Sequence, residues 1–286
     1  MSQTQRGLVW VVFSGLVFVT FIIVIRYVGT NLHPIQSAFI RYALSFVVLL
    51  PIILKRGSGI FVTRNVGRYA IRGFCHALGV LLWFYAITQI PVAEATALSY
   101  LSPVFVLIGA GLFLGEHFSI TRLFTVIAGL VGVLIILRPG FIEISTGAIA
   151  ILFSAPLFAL SKLLVKDLLR EDESITTVLY LSIFATLTLF WPALWVWTDP
   201  SIIDLSLLLL AAVLATLSHY MMARGLKLVD VTVALPAELL MLVWATLFGM
   251  YLFDENPSIW AGIGGAVIVF SLWLSSRDQH SQPNIK

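Results

Sequence analysis

Three ionisable side chains stand inside stretches that are otherwise apolar, and they bound the chemistry open to this chain. Arg41 lies in FIRYALSFVVLL, Glu94 in PVAEATALSYL and Glu238 in VALPAELLMLVW. Burying such a group is costly unless it is paired or faces a wet cavity, so each marks either a ligand site or a structural pair. Arg41 falls seven residues into its segment, about 10 Å at 1.5 Å per residue. Its guanidinium suits the anionic group of a substrate, a carboxylate above all. An arginine there also fits a structural ion pair, with Glu94 as partner, or a side chain reaching back to the interface. Glu94 stands in the first turn of its helix, where the helix dipole alone favours a carboxylate. Glu238 shares a helical face with Ala245 and Gly249, small residues that let another helix approach. A carboxylate on that face could bind a cation, carry a proton, or lock two helices as a hydrogen-bonded acid.

Other candidates are aromatic or polar. Arg72, His76 and Trp83 fall on one helical face at i, i+4 and i+11, whereas Tyr85 points away from His76. His76 with Trp83 on one side, or Tyr85 on the other, can face a narrow cavity, and spacing alone leaves open which side does. His219 and Tyr220 form a similar pair, and Ser99 and Tyr100 lie on a polar stripe with Thr96 and Pro103. Aromatic walls suit an amine or a flat organic molecule, and they also serve as ordinary packing. Arg26 and Lys166 sit near segment ends, where snorkelling to the interface is expected. Ser99 with His76 is the one conceivable nucleophile–base pair. The sequence carries no HExxH, CxxC, P-loop or GxSxG pattern, so neither metal nor cofactor is implied.

The elements that must hold these residues are membrane helices. The chain of 286 residues is 60% hydrophobic and 11% charged, against about 25% charged in soluble domains. Its mean hydropathy is +1.03. Ten apolar segments can be counted, at 7–28, 34–54, 67–88, 91–114, 119–137, 146–167, 175–197, 205–227, 230–253 and 257–275. Each approaches the roughly 20 residues needed to span a bilayer. The net charge of +3 comes from loops on one side and calls for no nucleic-acid partner. Arg6, Lys55, Arg56, Arg64, Arg68, Arg122, Lys166, Arg170, Arg224, Lys227, Arg277 and Lys286 fall on the side that holds both termini, and the other side holds little beyond Arg138 and Arg26. The positive-inside rule makes that side cytoplasmic. Trp191, Trp195, Trp197 and Trp260 cluster near the opposite interface, as aromatic belts do. The first segment reads as a retained helix, since no small-residue cleavage site follows it. The single cysteine, Cys75, can form no internal disulfide.

The chain also repeats itself. Gly7, Phe13, Ser14 and Phe18 recur as Gly147, Phe153, Ser154 and Phe158, and Val92, Ala95, Leu101, Val104, Glu116 and Ser119 as Val231, Ala234, Leu240, Val243, Glu255 and Ser258. Five helices per copy is an odd number, so the copies enter the membrane from opposite sides. Residues 1–140 and 141–286 are thus expected to be two inverted five-helix repeats of an all-α membrane protein, with a substrate site between them near the midplane. The second copy departs from the first at Leu242, which stands where Pro103 would recur.

WFYA (83–86), PVAEATALSYLSPVF (91–105) and LGE (114–116), with the weaker second copy, resemble the drug/metabolite transporter superfamily, specifically its bacterial EamA-type members. The resemblance implies a ten-helix secondary transporter of small metabolites, with amino acids or amine-bearing metabolites as the expected cargo. It also implies a structural role for the helix-end glutamates Glu116 and Glu255. The expectation is a multi-pass protein of a bacterial inner membrane that works by alternating access, with protons as a possible coupling ion through Glu238, Glu94 or His76. Two other classes stay open on the residues alone: an intramembrane enzyme acting on a lipid or peptide, and a receptor or interaction protein without flux.

Overall fold

A computed structural model describes residues 2–29, 31–99, 101–113, 120–137, 144–229, 234, 237–238, 240–256 and 258–280. Tyr100, Glu116 and Arg138 lie outside the described residues. No strand occurs among those described, and the elements are helices. They are α1 (Gln3–Val28), α2 (Pro34–Arg56), a short 3-10 turn (Gly57–Phe61), α3 (Val66–Gln89), α4 (Val92–Ser99), α5 (Leu101–Phe113) and α6 (Ile120–Leu137). After these come α7 (Thr146–Leu168), α8 (Ser174–Trp195), α9 (Ile202–Leu228), α10 (Leu240–Phe253) and α11 (Ile259–His280). Among the described residues six helices (α1, α2, α3, α7, α8 and α9) are long and apolar enough to cross a membrane. Ile127–Leu137, Val243–Phe253 and Ile259–Phe270 are shorter apolar helices.

The helix starts are chemically marked. Ser2 and Ser201 open α1 and α9 with capping boxes closed by Gln5 and Asp204, each satisfying two donors that a helix start would leave open. Pro34 occupies the first turn of α2, and His33 Nδ1 accepts from the Ile35 amide at 3.3 Å. Gly57 ends α2 with φ of 66°, a left-handed value that side chains with a Cβ resist.

Packing pairs the two halves of the chain. α1 lies along α9, α3 along α7, α2 against α8, and α6 against α11. Small residues set the first two contacts. A Cβ on Gly7 would fall 2.6 Å from Val229 Cγ1, and one on Gly147 would fall 2.9 Å from Gln89 Cβ. Without those glycines the helix ends could not approach so closely. Val19, Ile22, Leu98, Ile151, Leu189 and Leu208 are buried in the common core. Apolar side chains also cover the outside: Trp195 is 88% exposed, Tyr251 83% and Leu54 75%. Such a surface is stable against lipid rather than water. Trp191, Trp197 and Trp260 are exposed as well.

Candidate functional site

A cavity of about 260 Å³ lies between α1, α2, α3, α7 and α9, with α4, α5, α10 and Glu238 completing its wall. Its size is just below the range of about 300–1,000 Å³ usual for ligand pockets. Of the sequence-derived candidates, Arg41, His76, Trp83, Ser99, His219 and Glu238 line it. Glu94 and Tyr220 do not, and Tyr100 lies outside the described residues.

Arg41 is only 2% exposed, so it neither snorkels nor reaches an interface. No ion pair joins it to Glu94 or to any other carboxylate among the described residues. Its guanidinium carbon instead lies 3.4 Å from the centroid of the Tyr42 ring and 5.6 Å from that of Phe21. Aromatic faces stabilise a cation without neutralising it. The Arg41 Nε has no hydrogen-bond partner. The expected Arg41–Glu94 pair is thus replaced by stacking, because the rings beside Arg41 cover its charge. Arg72, one turn before His76, is also buried and lines the cavity. It donates from one terminal nitrogen to the Thr177 carbonyl at 2.7 Å, and its Nε is likewise unpartnered.

His76 sits at the centre of a polar and aromatic cluster. Its Nδ1 lies 3.1 Å from Ser161 Oγ, with the donor set by the imidazole tautomer. Its ring meets His219 at 5.4 Å and Phe158 at 5.2 Å between centroids, both edge to face. Ser99 donates to the Ala95 carbonyl one turn back at 2.7 Å, so the Ser99–His76 pair conceivable from sequence does not form. Trp83 stacks on Phe21 with an interplanar angle of 12°, and Phe18 lies 6.0 Å from Trp83. Tyr85, on the opposite face of α3, is exposed, and its hydroxyl lies 2.8 Å from Thr146 Oγ1. His219 and Tyr220 separate as adjacent helical positions must: Tyr220 packs on the cluster of Leu49, Ile60 and Val178.

Lys162 is the residue that sequence reasoning passed over. Its ammonium donates to both Glu238 oxygens, at 2.6 and 2.5 Å, and both residues line the cavity. Glu238 is therefore held by a cation from α7. The signal for Lys162 was present, because it interrupts the apolar run FALSKLLV just as Arg41 interrupts its own. The same holds for Phe18 and Phe158, which recur between the halves and both line the cavity.

Arg26 and Lys166 correct the snorkelling expectation. Arg26 donates to the Ile87 and Ile90 carbonyls at the end of α3 and pairs with Glu255 at 3.0 Å. Lys166 donates to the Leu226 and Val229 carbonyls at the end of α9, at 3.1 and 3.2 Å. A helix C-terminus presents unsatisfied carbonyls and negative dipole charge, which draw each cation inward rather than to the interface.

Lipid-length helices packed around a cavity that holds buried cations, a paired carboxylate and aromatic rings define a multi-pass membrane transporter. The chain belongs to the EamA-like transporter family, whose model matches residues 5–138 and again 145–277. It is 28% identical over 249 residues to an S-adenosylmethionine uptake transporter of Rickettsia bellii, covering 87% of this chain and 85% of the relative. It is 29% identical over 258 residues to a riboflavin transporter of Brucella anthropi, covering 87% and 90%. A pseudopaline exporter of Pseudomonas aeruginosa is 26% identical, covering 97% of this chain and 98% of the relative. A solved crystal structure shares the fold with a TM-score of 0.67 at 18% identity, covering 98% of this chain and 100% of that one. Family membership makes the chain a transporter of small molecules and not an enzyme.

Proposed function

We propose that this protein is a secondary active transporter that moves small polar metabolites, zwitterions such as amino acids included, across a bacterial inner membrane by alternating access between two inverted five-helix halves. The observation that carries the reading is the cavity itself: Arg41, His76 and Trp83 wall it from the first half of the chain, and Lys162, His219 and Glu238 from the second. A site shared in this way changes its exposure when the halves rock against each other.

The near-equivalence of the halves supports the same reading. Gly7 seats α1 against Gly225, Leu228 and Val229, and Gly147 seats α7 against Ala86, Gln89 and Ile90. The partners keep the near-constant offset of the sequence repeat. Arg26 and Lys166 occupy equivalent positions and hold equivalent helix ends. The relatives named for S-adenosylmethionine and riboflavin point to cargo with a flat ring system, which the Phe18, Phe21 and Trp83 wall can stack. Protons are a candidate coupling ion, with His76 and His219 in ring contact in the same cavity.

The test is uptake into liposomes holding the purified protein, with and without an imposed proton gradient. Labelled amino acids, S-adenosylmethionine and riboflavin serve as the first probes. Saturable accumulation of unmodified label supports transport. Binding without accumulation of any bound probe overturns it in favour of a receptor.

A further inference from the structure

We propose that the cavity selects an aromatic organic anion, taking its carboxylate at the Arg41 and Arg72 guanidiniums and its ring against Trp83 and Phe21. The inference rests on the transporter reading and narrows its cargo. Among the described residues, three cations (Arg41, Arg72 and Lys162) line the cavity with one carboxylate, Glu238. That carboxylate is already met by Lys162 at 2.5 Å. Arg41 and Arg72 belong to no ion pair among the described residues, and both are buried with an unpartnered Nε. Two buried guanidiniums without a counter-charge are costly inside a membrane protein. A ligand that brings a negative charge relieves that cost, and a cationic one adds to it.

The geometry also favours a planar acceptor. A guanidinium presents its donors in a flat fork that matches a carboxylate. Tyr42, whose ring covers Arg41, lies within electrostatic reach of both guanidiniums. An ammonium group has no equivalent receptor here, because Glu238, the carboxylate among the lining residues, is held by Lys162. The cavity therefore favours an anion over the amine-bearing cargo expected from family resemblance. The Phe21–Trp83 stack supplies a flat apolar wall in the same cavity, where a second ring gains by offset stacking.

Four probes separate charge from ring. Indole-3-acetate has both the ring and the carboxylate. Indole-3-acetamide keeps the ring without the charge, tryptamine carries the ring with a cation, and cyclohexanecarboxylate carries the charge without aromaticity. Binding is measured by calorimetry and thermal stabilisation of the purified wild-type protein, in chloride and in gluconate buffer. Indole-3-acetate is expected to bind at least about tenfold more tightly than each of the other three, as the loss of one desolvated charge contact or one stacked ring implies. In Arg41→Gln and Arg72→Gln the same probe should weaken by roughly 30-fold or more. Arg41→Lys, which keeps the charge and loses the fork, should fall between. The wild-type probe series does not depend on whether a variant folds. Equal or tighter binding of tryptamine or the amide, no binding of any probe, or stabilisation by chloride alone overturns the proposal. Binding of indole-3-acetate without flux in liposomes leaves the anion site standing and sinks the transporter reading. Flux of a cation that ignores the arginine variants does the reverse.

Discussion

Lys162 and Glu238, 76 positions apart in the chain, meet as a two-pronged ion pair in the cavity wall, with both side chains less than one-fifth exposed. The pair ties α7 to the segment leading into α10. It also occupies both Glu238 oxygens, so a cationic substrate would have to compete with Lys162 for them.

Breaking this pair on one side should therefore cost more than removing it from both. Glu238→Gln leaves the Lys162 ammonium facing a neutral amide, and Lys162→Met takes that ammonium away from the carboxylate. Each is expected to destabilise the protein by about 3 kcal/mol, near the lower end for half-broken buried pairs because both side chains keep some exposure. The double variant Lys162→Met/Glu238→Gln should recover at least about 3 kcal/mol of the summed loss, leaving it no less stable than either single variant. A double-mutant cycle from denaturation in detergent checks this, and strict additivity would show that the pair carries no coupling.

Arg26 is expected to be a structural keystone rather than a surface charge. Arg26→Ala uncovers the Ile87 and Ile90 carbonyls and removes the ion pair to Glu255. Hydrogen bonds to charged groups contribute about 1.5–3 kcal/mol each, so a loss of about 2–4 kcal/mol is expected. Arg26→Gln should recover part of it by donating to one carbonyl. Melting of the purified variants reads the order wild type, Gln, Ala. Equal melting of all three would return Arg26 to the interface.

Gly7 and Gly147 are expected to respond alike. Gly7→Ala places a methyl group 2.6 Å from Val229 Cγ1, and Gly147→Ala places one 2.9 Å from Gln89 Cβ. Overpacking of this kind costs about 1–3 kcal/mol. Gly59, which has nothing within 4 Å of its Cβ position, is the control, and Gly59→Ala should be neutral. Size-exclusion profiles and melting temperatures across the three variants decide the matter. A Gly7 variant as stable as the Gly59 control would mean that α1 and α9 approach less closely than described.

The orientation from the lysine and arginine asymmetry is testable with two cysteines in a Cys75→Ser background. Ser58 and Asp199 are both exposed, in the 3-10 turn and in the link between α8 and α9. Asp199 serves better than Ser201, whose hydroxyl caps α9. An impermeant maleimide applied to intact cells should label Asp199→Cys and spare Ser58→Cys. The opposite pattern would place both termini outside.

The sequence by itself determined the membrane class and where the six long apolar helices fall, because both depend on local properties: run length, apolar content and the residues at run ends. It also singled out Arg41 by its depth in an apolar run, and spacing set His76 and Trp83 on one face of α3 and Tyr85 on the other without deciding which face looks inward. It could not decide partners. Whether Arg41 meets Glu94 or the rings of Tyr42 and Phe21, whether His76 meets Ser99 or Ser161, and whether Glu238 is a free carboxylate or the counter-ion of Lys162 depend on which helices lie side by side. His219 and Tyr220 make the same point, since one faces the cavity and the other a separate apolar cluster. Adjacent positions on a helix diverge by about 100°, and only the packing of α9 against α1, α2 and α8 selects which of them points inward. Arg26 and Lys166 show the limit from the other direction. A cation near a segment end can reach outward to water or inward to a neighbouring helix terminus, and the long-range contact of α1 with α3 and of α7 with α9 made the second choice.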